Sequence, residues 1–252
     1  MLPRTRTRSV AVGAAVALAL ALAACGSETS GGAGSSPTAD ATPSAASTTT
    51  SAASPSGGAC SAPPQLPGSV PSFSAPPDKA TAAGKTFEAT IHTNCGDITL
   101  ELDGAKAPQT VASFVQLAQK AYWKDSPCHR LTTAGLHVLQ CGDPTGTGSG
   151  GPGYGYGIEN APVDGNYPAG TLAMARGQLP DTNGGQFFFV YDTTALPTDG
   201  GGYSIFGRVT SGMDILARIA KAGVESTSAN PYDGPPAQPI SILSVAVTEK
   251  KA

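Results

Sequence analysis

Charge is the first thing in short supply. Lys, Arg, Asp and Glu together make up 13% of the chain, and their balance is only −3. A nucleic-acid partner calls for a basic patch or stripe; nothing here supplies one, so nucleic acid is excluded as a ligand class. Histidine is scarcer, at three residues, and the five cysteines contain no CxxC pair. A zinc site needs a close set of such ligands, so neither a metal nor another cofactor is expected. GxSxG and HExxH are both missing, which removes the serine-hydrolase elbow and the zincin helix. No apolar run reaches the ~20 residues of a membrane-spanning helix. The run Val10 to Ala23 is of signal-peptide length instead.

Residues 1–25 read as an export signal. Arg4, Arg6 and Arg8 precede the apolar run, and Leu22-Ala23-Ala24-Cys25 has the form of a bacterial lipobox. Cys25 is the residue such a motif lipidates, which would anchor the chain at the outer face of the cytoplasmic membrane. Each buried acyl methylene then contributes ~0.8 kcal/mol. The arginines alternate with threonine and form no twin-arginine pair, so the general export route is expected.

Residues 26–84 are dominated by Ser, Thr, Ala, Gly and Pro. Such a composition buries too little apolar surface to offset the entropy of ordering its backbone. The segment reads as a disordered tether, with Val70 and Phe73 as candidates to dock on the folded part, 85–252. With Cys25 assigned to lipid, Cys60, Cys95, Cys128 and Cys141 are an even set in an exported chain and are candidate disulfide partners. Three pairings are open. Strand alternation speaks against Cys128–Cys141, because it sets Cys128 on the face of Arg130 and Cys141 on the face away from Gln140.

From Lys85 the pattern changes. Phe87, Ala89 and Ile91 alternate with polar residues, Asn94-Cys95-Gly96-Asp97 supplies a turn, and Ile98, Leu100 and Leu102 alternate again. This is a hairpin with one wet face. Pro108 suits a first helical turn, and Val111, Phe114, Val115 and Ala118 follow at helical spacing, so a helix is expected to about Ala121. Short strands are expected near Cys128–Leu131 and Val138–Gln140, then at Thr171–Ala175, Phe187–Val190, Tyr203–Val209 and Ile240–Val247. A second helix carries Met213, Ile215, Leu216 and Ile219 and ends before Gly223. Eight strands joined by turns suggest an antiparallel sheet, closed so that no edge is exposed.

Glycine is abundant between Gly142 and Gly157. Gly146, Gly148 and Gly151 satisfy GxGxxG in form. A dinucleotide site also needs a helix to open there; Pro152 and Gly153 follow instead, so the stretch reads as a surface loop.

The residues that carry chemistry are His129-Arg130, Gln140-Cys141-Gly142-Asp143, Met174-Ala175, Thr182-Asn183-Gly184-Gly185-Gln186-Phe187-Phe188 and Ile205-Phe206-Gly207. In this order, over about residues 85–250, they resemble the cyclophilins, the peptidyl-prolyl cis/trans isomerases. The resemblance implies a mostly β fold, a closed eight-stranded antiparallel barrel capped by two helices. It implies a monomeric, cofactor-independent enzyme that acts on proline-containing polypeptides. Arg130, Gln140 and Gln186 take the catalytic positions. Phe188 floors the proline pocket, while His129, Ala175, the Arg176 main chain, Asn183 and Tyr203 contribute to the peptide groove. Met174 and Phe187 are core supports.

Three features depart from the family pattern. The turn between Arg130 and Gln140 is enlarged. His137, then Val138, take the places of a pocket phenylalanine and a methionine. Leu196, then Pro197, stand where a rim tryptophan and an apolar residue are usual. Binding of cyclosporin-type cyclic peptides, which use that tryptophan, is expected to be weak. The departures leave a second reading beside an isomerase for exported clients: a cyclophilin-like peptide-binding or chaperone lipoprotein with little or no catalysis.

Overall fold

Residues 58–251 are described by a computed structural model. The signal segment, Cys25 and the tether up to residue 57 lie outside them. In chain order the elements are β1 (Thr86–Thr93), β2 (Gly96–Asp103), α1 (Pro108–Gln119), β3 (Ser126–Pro127), β4 (Arg130–Thr132), β5 (Val138–Cys141), β6 (Asn166–Tyr167), β7 (Thr171–Met174), β8 (Phe187–Val190), β9 (Thr194–Ala195), β10 (Ile205–Ser211), α2 (Met213–Ala222), β11 (Asp233–Gly234) and β12 (Ser241–Glu249).

Ten of the strands form one antiparallel sheet in the order β11-β4-β5-β8-β7-β10-β2-β1-β12-β3, and β6 pairs with β9 apart from it. The eight strands expected from the sequence occupy the middle of this order. The closed eight-stranded barrel is corrected, however. Closure would need β4 to pair with β12, and each is instead bordered by a two-residue strand, β11 on β4 and β3 on β12. Strands that short show no period of two, so nothing in the hydrophobic pattern announces them. Short edges of this kind also offer little template for pairing with another chain.

The sheet is nonetheless strongly curled, and connectivity requires it. β4 and β3 stand eight places apart in the order, a distance of ~38 Å if the sheet were flat at ~4.8 Å per strand. Pro127 and Arg130 are joined by three peptide units, which reach ~11 Å at most. The two ends must therefore curve back toward each other.

The core lies on the sheet's inner face under the two helices. Ile91, Ile98, Leu100 and Leu102 of the first hairpin meet Val111, Phe114 and Leu117 of α1 and Ile215, Leu216 and Ile219 of α2. Ala107, at the N-cap of α1, provides no capping side chain. Glu159 does so from a distant loop, accepting hydrogen bonds from the Gln109 and Thr110 amides at 3.0 and 2.8 Å. A carboxylate at this helix end satisfies otherwise orphaned N–H groups and complements the helix dipole. Trp123 packs tilted against Phe114 and edge-on against Phe187, and donates its indole N–H to the Gly185 carbonyl at 2.9 Å. A side chain at Gly185 would strike the Tyr122 ring, so this close approach of core and loop depends on glycine.

The boundary expected at residue 85 falls too late. Cys60 is disulfide-bonded to Cys95, and Ser61 and Asn94 exchange hydrogen bonds of 2.8 and 2.7 Å. Val70 and Phe73 pack on the core as anticipated, and the Phe73 amide donates to the Pro152 carbonyl. Composition hid this because the strap is fixed by a crosslink and a few main-chain bonds, with little apolar patterning of its own.

The second disulfide, Cys128–Cys141, corrects the reading from alternation. Cys128 precedes β4 and hydrogen-bonds through its amide to the Ile240 carbonyl, outside the β4–β5 ladder. Alternation counted back from Arg130 therefore does not apply to it, and both sulfurs reach the inner side.

Candidate active site

Strand register assembles the site. Arg130 of β4 stands directly opposite Gln140 of β5, Gln140 opposite Phe188 of β8, and Phe188 opposite Ala173 of β7. Residues opposite one another share a face of a sheet, so these four form one row across the outer side. The run Phe187-Phe188-Phe189-Val190 is buried throughout because both faces are covered. Phe187 and Phe189 enter the main core, whereas Phe188 and Val190 join a smaller cluster with Val138, Tyr167, Ala173 and Leu196. Met174 and Phe187 lie in the main core, as supports.

Over that cluster opens a cleft of about 540 Å³. His129, Arg130, Val138, Gln140, Ala175, Arg176, Phe188, Leu196, Pro197 and Tyr203 line it, together with Leu136, Thr147, Gly148, Asp233 and Gly234. Phe188 forms part of its floor and meets Tyr203 edge-on, with ring centroids 5.7 Å apart. The Arg176 guanidinium lies 5.1 Å from the centroid of the same tyrosine, within cation–π range. It also donates to the carbonyls of Gly177, Gln178, Asp199 and Gly202, which ties together two loops at the rim.

Three expected residues are placed differently. His137 does not line the cleft; its ring packs against Tyr191, with centroids 5.8 Å apart, and Leu136 faces the cleft instead. β5 begins at Val138, opposite Thr132, and in the turn that leads into it Leu136 is the residue at the apolar wall. Asn183 is fully buried and donates to the Tyr156 carbonyl at 3.0 Å. It braces the groove from behind, because a primary amide next to a glycine pair can satisfy a neighbouring main chain as readily as a ligand. Gln186 lies in an adjoining pocket of about 350 Å³, which also touches Gln140 and Arg176.

Polar groups in the site form a directed chain. Arg130 Nη1 donates to Gln140 Oε1 at 3.3 Å, Gln140 Nε2 donates to Gln186 Oε1 at 2.9 Å, and Gln186 Nε2 donates to the carbonyls of Gly148 and Gly150. The glycine-rich loop thus has a role that its composition did not reveal: its carbonyls hold Gln186. The loop is itself organised by buried Asp143, which accepts from Thr145, Thr147 and the Gly150 amide.

At the other end of the chain stands Asp233, a residue absent from the sequence motifs. Its carboxylate accepts from Arg130 Nε at 2.7 Å and Nη2 at 2.8 Å, a two-point contact. That bond raises the Arg130 pKa further and holds the Asp233 carboxyl below its usual range. A guanidinium has five N–H groups. Three are taken by Asp233 and Gln140, leaving one on Nη1 and one on Nη2. His129 carries both ring nitrogens buried without a partner, and burial lowers its pKa. The site therefore presents a fixed hydrogen-bond donor beside an apolar floor, with a neutral imidazole at its rim.

Comparison with known proteins agrees with this geometry. The family model for cyclophilin type peptidyl-prolyl cis-trans isomerases matches residues 88–247. A probable peptidyl-prolyl cis-trans isomerase B of Mycobacterium leprae is 39% identical over 190 residues, covering 68% of this chain and 62% of that protein. Its Mycobacterium tuberculosis counterpart is 42% identical over 168 residues, covering 61% and 52%. The chain thus spans just over half of the length of these relatives. Among solved structures, a Cryptosporidium parvum cyclophilin type isomerase is 30% identical with a TM-score of 0.53, covering 66% of this chain and 99% of that one. The same parasite protein in the presence of the dipeptide Ala-Pro gives a TM-score of 0.52. The chain belongs to the family of cyclophilin-type peptidyl-prolyl cis-trans isomerases.

Proposed function

We propose that the chain catalyses cis/trans isomerisation of peptide bonds preceding proline, acting as a monomer on exported polypeptides from a lipid anchor at the outer face of the cytoplasmic membrane. The observation that carries the catalytic reading is the oriented Arg130 guanidinium, with two free N–H groups, above the floor made by Phe188.

The barrier to amide rotation is ~18–20 kcal/mol, because the nitrogen lone pair is delocalised into the carbonyl. Uncatalysed prolyl isomerisation therefore takes ~10–100 s. When the bond twists, the nitrogen becomes pyramidal and its lone pair becomes a hydrogen-bond acceptor. Arg130 donates to it in that state and finds no such acceptor in either planar isomer, so the interaction favours the transition state selectively. The proline ring sits on Phe188, between Leu136, Val138 and Leu196, in keeping with the Ala-Pro dipeptide used with the parasite relative. Gln140 and Gln186 orient the flanking peptide groups and hold the arginine. No covalent bond is made or broken. With Leu136 rather than His137 at the apolar wall, the non-catalytic alternative loses one of its supports.

Export is supported by the lipobox at Cys25 and by two disulfides in the folded part, which form and persist in oxidising compartments. A protease-coupled assay on a proline tetrapeptide tests the activity. The full chain is expected to exceed the rate in buffer, and equality with buffer would refute the reading. Radiolabelled palmitate incorporation tests the anchor: label is expected on the wild-type chain and not on Cys25→Ala, and label on both would refute lipidation at Cys25.

A further inference from the structure

Asp233 holds Arg130 more closely than Gln140 does, at 2.7 and 2.8 Å against 3.3 Å. Resting on the isomerase reading above, we propose that Asp233 is a positioning residue for that reaction. By occupying the Nε and Nη2 side of the Arg130 guanidinium, it fixes the plane in which the remaining N–H groups meet the prolyl nitrogen.

The carboxylate is suited to this role by chemistry and by mounting. An ionised carboxylate is an acceptor only, and a two-point bond to guanidinium sets orientation as well as distance. A single bond to Gln140 would leave the plane free to turn about the last side-chain torsions. The mounting is main-chain. β11 places Asp233 opposite Thr132 and Gly234 opposite Leu131, two positions along from Arg130. At that diagonal offset a long side chain reaches its neighbour. The Thr133 amide donates to the Tyr232 carbonyl at 2.9 Å, and Asn230 accepts from the Tyr232 and Asp233 amides. Gly234 lies against Ser228 with no room for a side chain, and Pro235 and Pro236 follow. Each proline fixes its own φ. β11 is thus a two-residue strand that borders β4 and presents one carboxylate to the cleft.

The contrast with Arg176 separates this pairing from a general need to anchor arginines. Arg176 is held at the same rim by four neutral carbonyls, whereas Arg130 alone of the two receives a carboxylate. Its charge is balanced, so it acts through a directed hydrogen bond and not through a net field over the cleft.

The test is a double-mutant cycle on the full chain, with kcat and KM measured separately for a proline peptide. Wild type, Asp233→Ala, Asp233→Asn, Arg130→Ala and the Arg130→Ala/Asp233→Asn double variant are compared, and the isosteric Asn covers the event that Ala disturbs folding. Asp233→Ala and Asp233→Asn are expected to lower kcat about tenfold or more, as misplacement of a reacting group does, with KM changed far less. In the Arg130→Ala background Asp233→Asn is expected to add nothing. Wild-type kcat in both Asp233 variants overturns the proposal, as does a loss that is fully additive with Arg130→Ala. Should the wild-type chain show no acceleration, the isomerase reading fails and this proposal with it. An active wild type and inactive Arg130→Ala, with both Asp233 variants unimpaired, removes the positioning role alone.

Discussion

Gln140 receives a hydrogen bond from Arg130 Nη1 through its carbonyl oxygen while its amide nitrogen donates to Gln186. A single side chain thereby links the arginine to the glycine-rich loop. Gln140→Leu keeps the bulk and removes both bonds. It is expected to lower kcat about tenfold, in line with loosened positioning of a reacting group. Gln186→Leu is expected to cost a similar factor, and the double variant less than the product, because both act through one chain. Steady-state kinetics of the three variants check this; independent losses would contradict a connected network.

Leu136 occupies the apolar wall where the family resemblance had suggested His137. Leu136→Ala is therefore expected to raise KM for proline peptides by about tenfold, given ~1.5–3 kcal/mol for a fully buried leucine and partial burial here. His137→Ala is expected to leave KM near its wild-type value. The reverse order of effects would contradict the placement.

His129 is the titrating group of the cleft rim. Burial lowers its pKa, with the Asp143 charge opposing and the Arg130 charge adding to the effect. A histidine whose folded pKa is depressed contributes stability above its unfolded value, and loses it as pH falls through the folded value. The imidazole at the cleft rim should hence stay neutral to lower pH than an ordinary histidine does. The midpoint of any acid fall in kcat/KM is expected below the ordinary histidine value of about 6.5. A decline with its midpoint above pH ~6.5 would contradict a depressed value.

The Cys128–Cys141 disulfide joins the segment entering β4 to the end of β5, next to Arg130 and Gln140. Replacing both cysteines by serine is expected to lower unfolding free energy by ~2–4 kcal/mol, since a crosslink of this kind restricts the unfolded chain. Denaturant titration followed by tryptophan fluorescence reads this directly, because Trp123 is buried in the core. An unchanged midpoint would contradict a stabilising crosslink.

The sequence made much of this site legible, and the exceptions have common physical causes. The first hairpin was visible because its residues alternate between a buried and a wetter face, strands such as Phe187–Val190 because they are short apolar runs, and Arg130, Gln140, Gln186 and Phe188 because they sit in recognisable motifs. Asp233 was invisible: it is 103 residues from Arg130, on a strand too short to have a period and ahead of a proline pair. The exchange of Leu136 for His137 depends on how the turn enters β5, which spacing alone does not settle. The pairing of Cys128 with Cys141 escaped because alternation was carried back through residues that are not part of the ladder. In each instance the missing information was the register of irregular backbone, which hydrophobic patterning does not encode.

The central claim is that the Arg130 guanidinium lowers the rotational barrier by donating to the twisted prolyl nitrogen. The most direct measurement is kcat of the full chain for a proline tetrapeptide in wild type, Arg130→Lys and Arg130→Ala. The expected loss in Arg130→Ala is about 10²–10³-fold, the scale of removing one preorganised donor. Arg130→Lys is expected to recover little, because an ammonium cannot reproduce the planar two-point contact with Asp233. Wild-type kcat in Arg130→Ala would contradict the account.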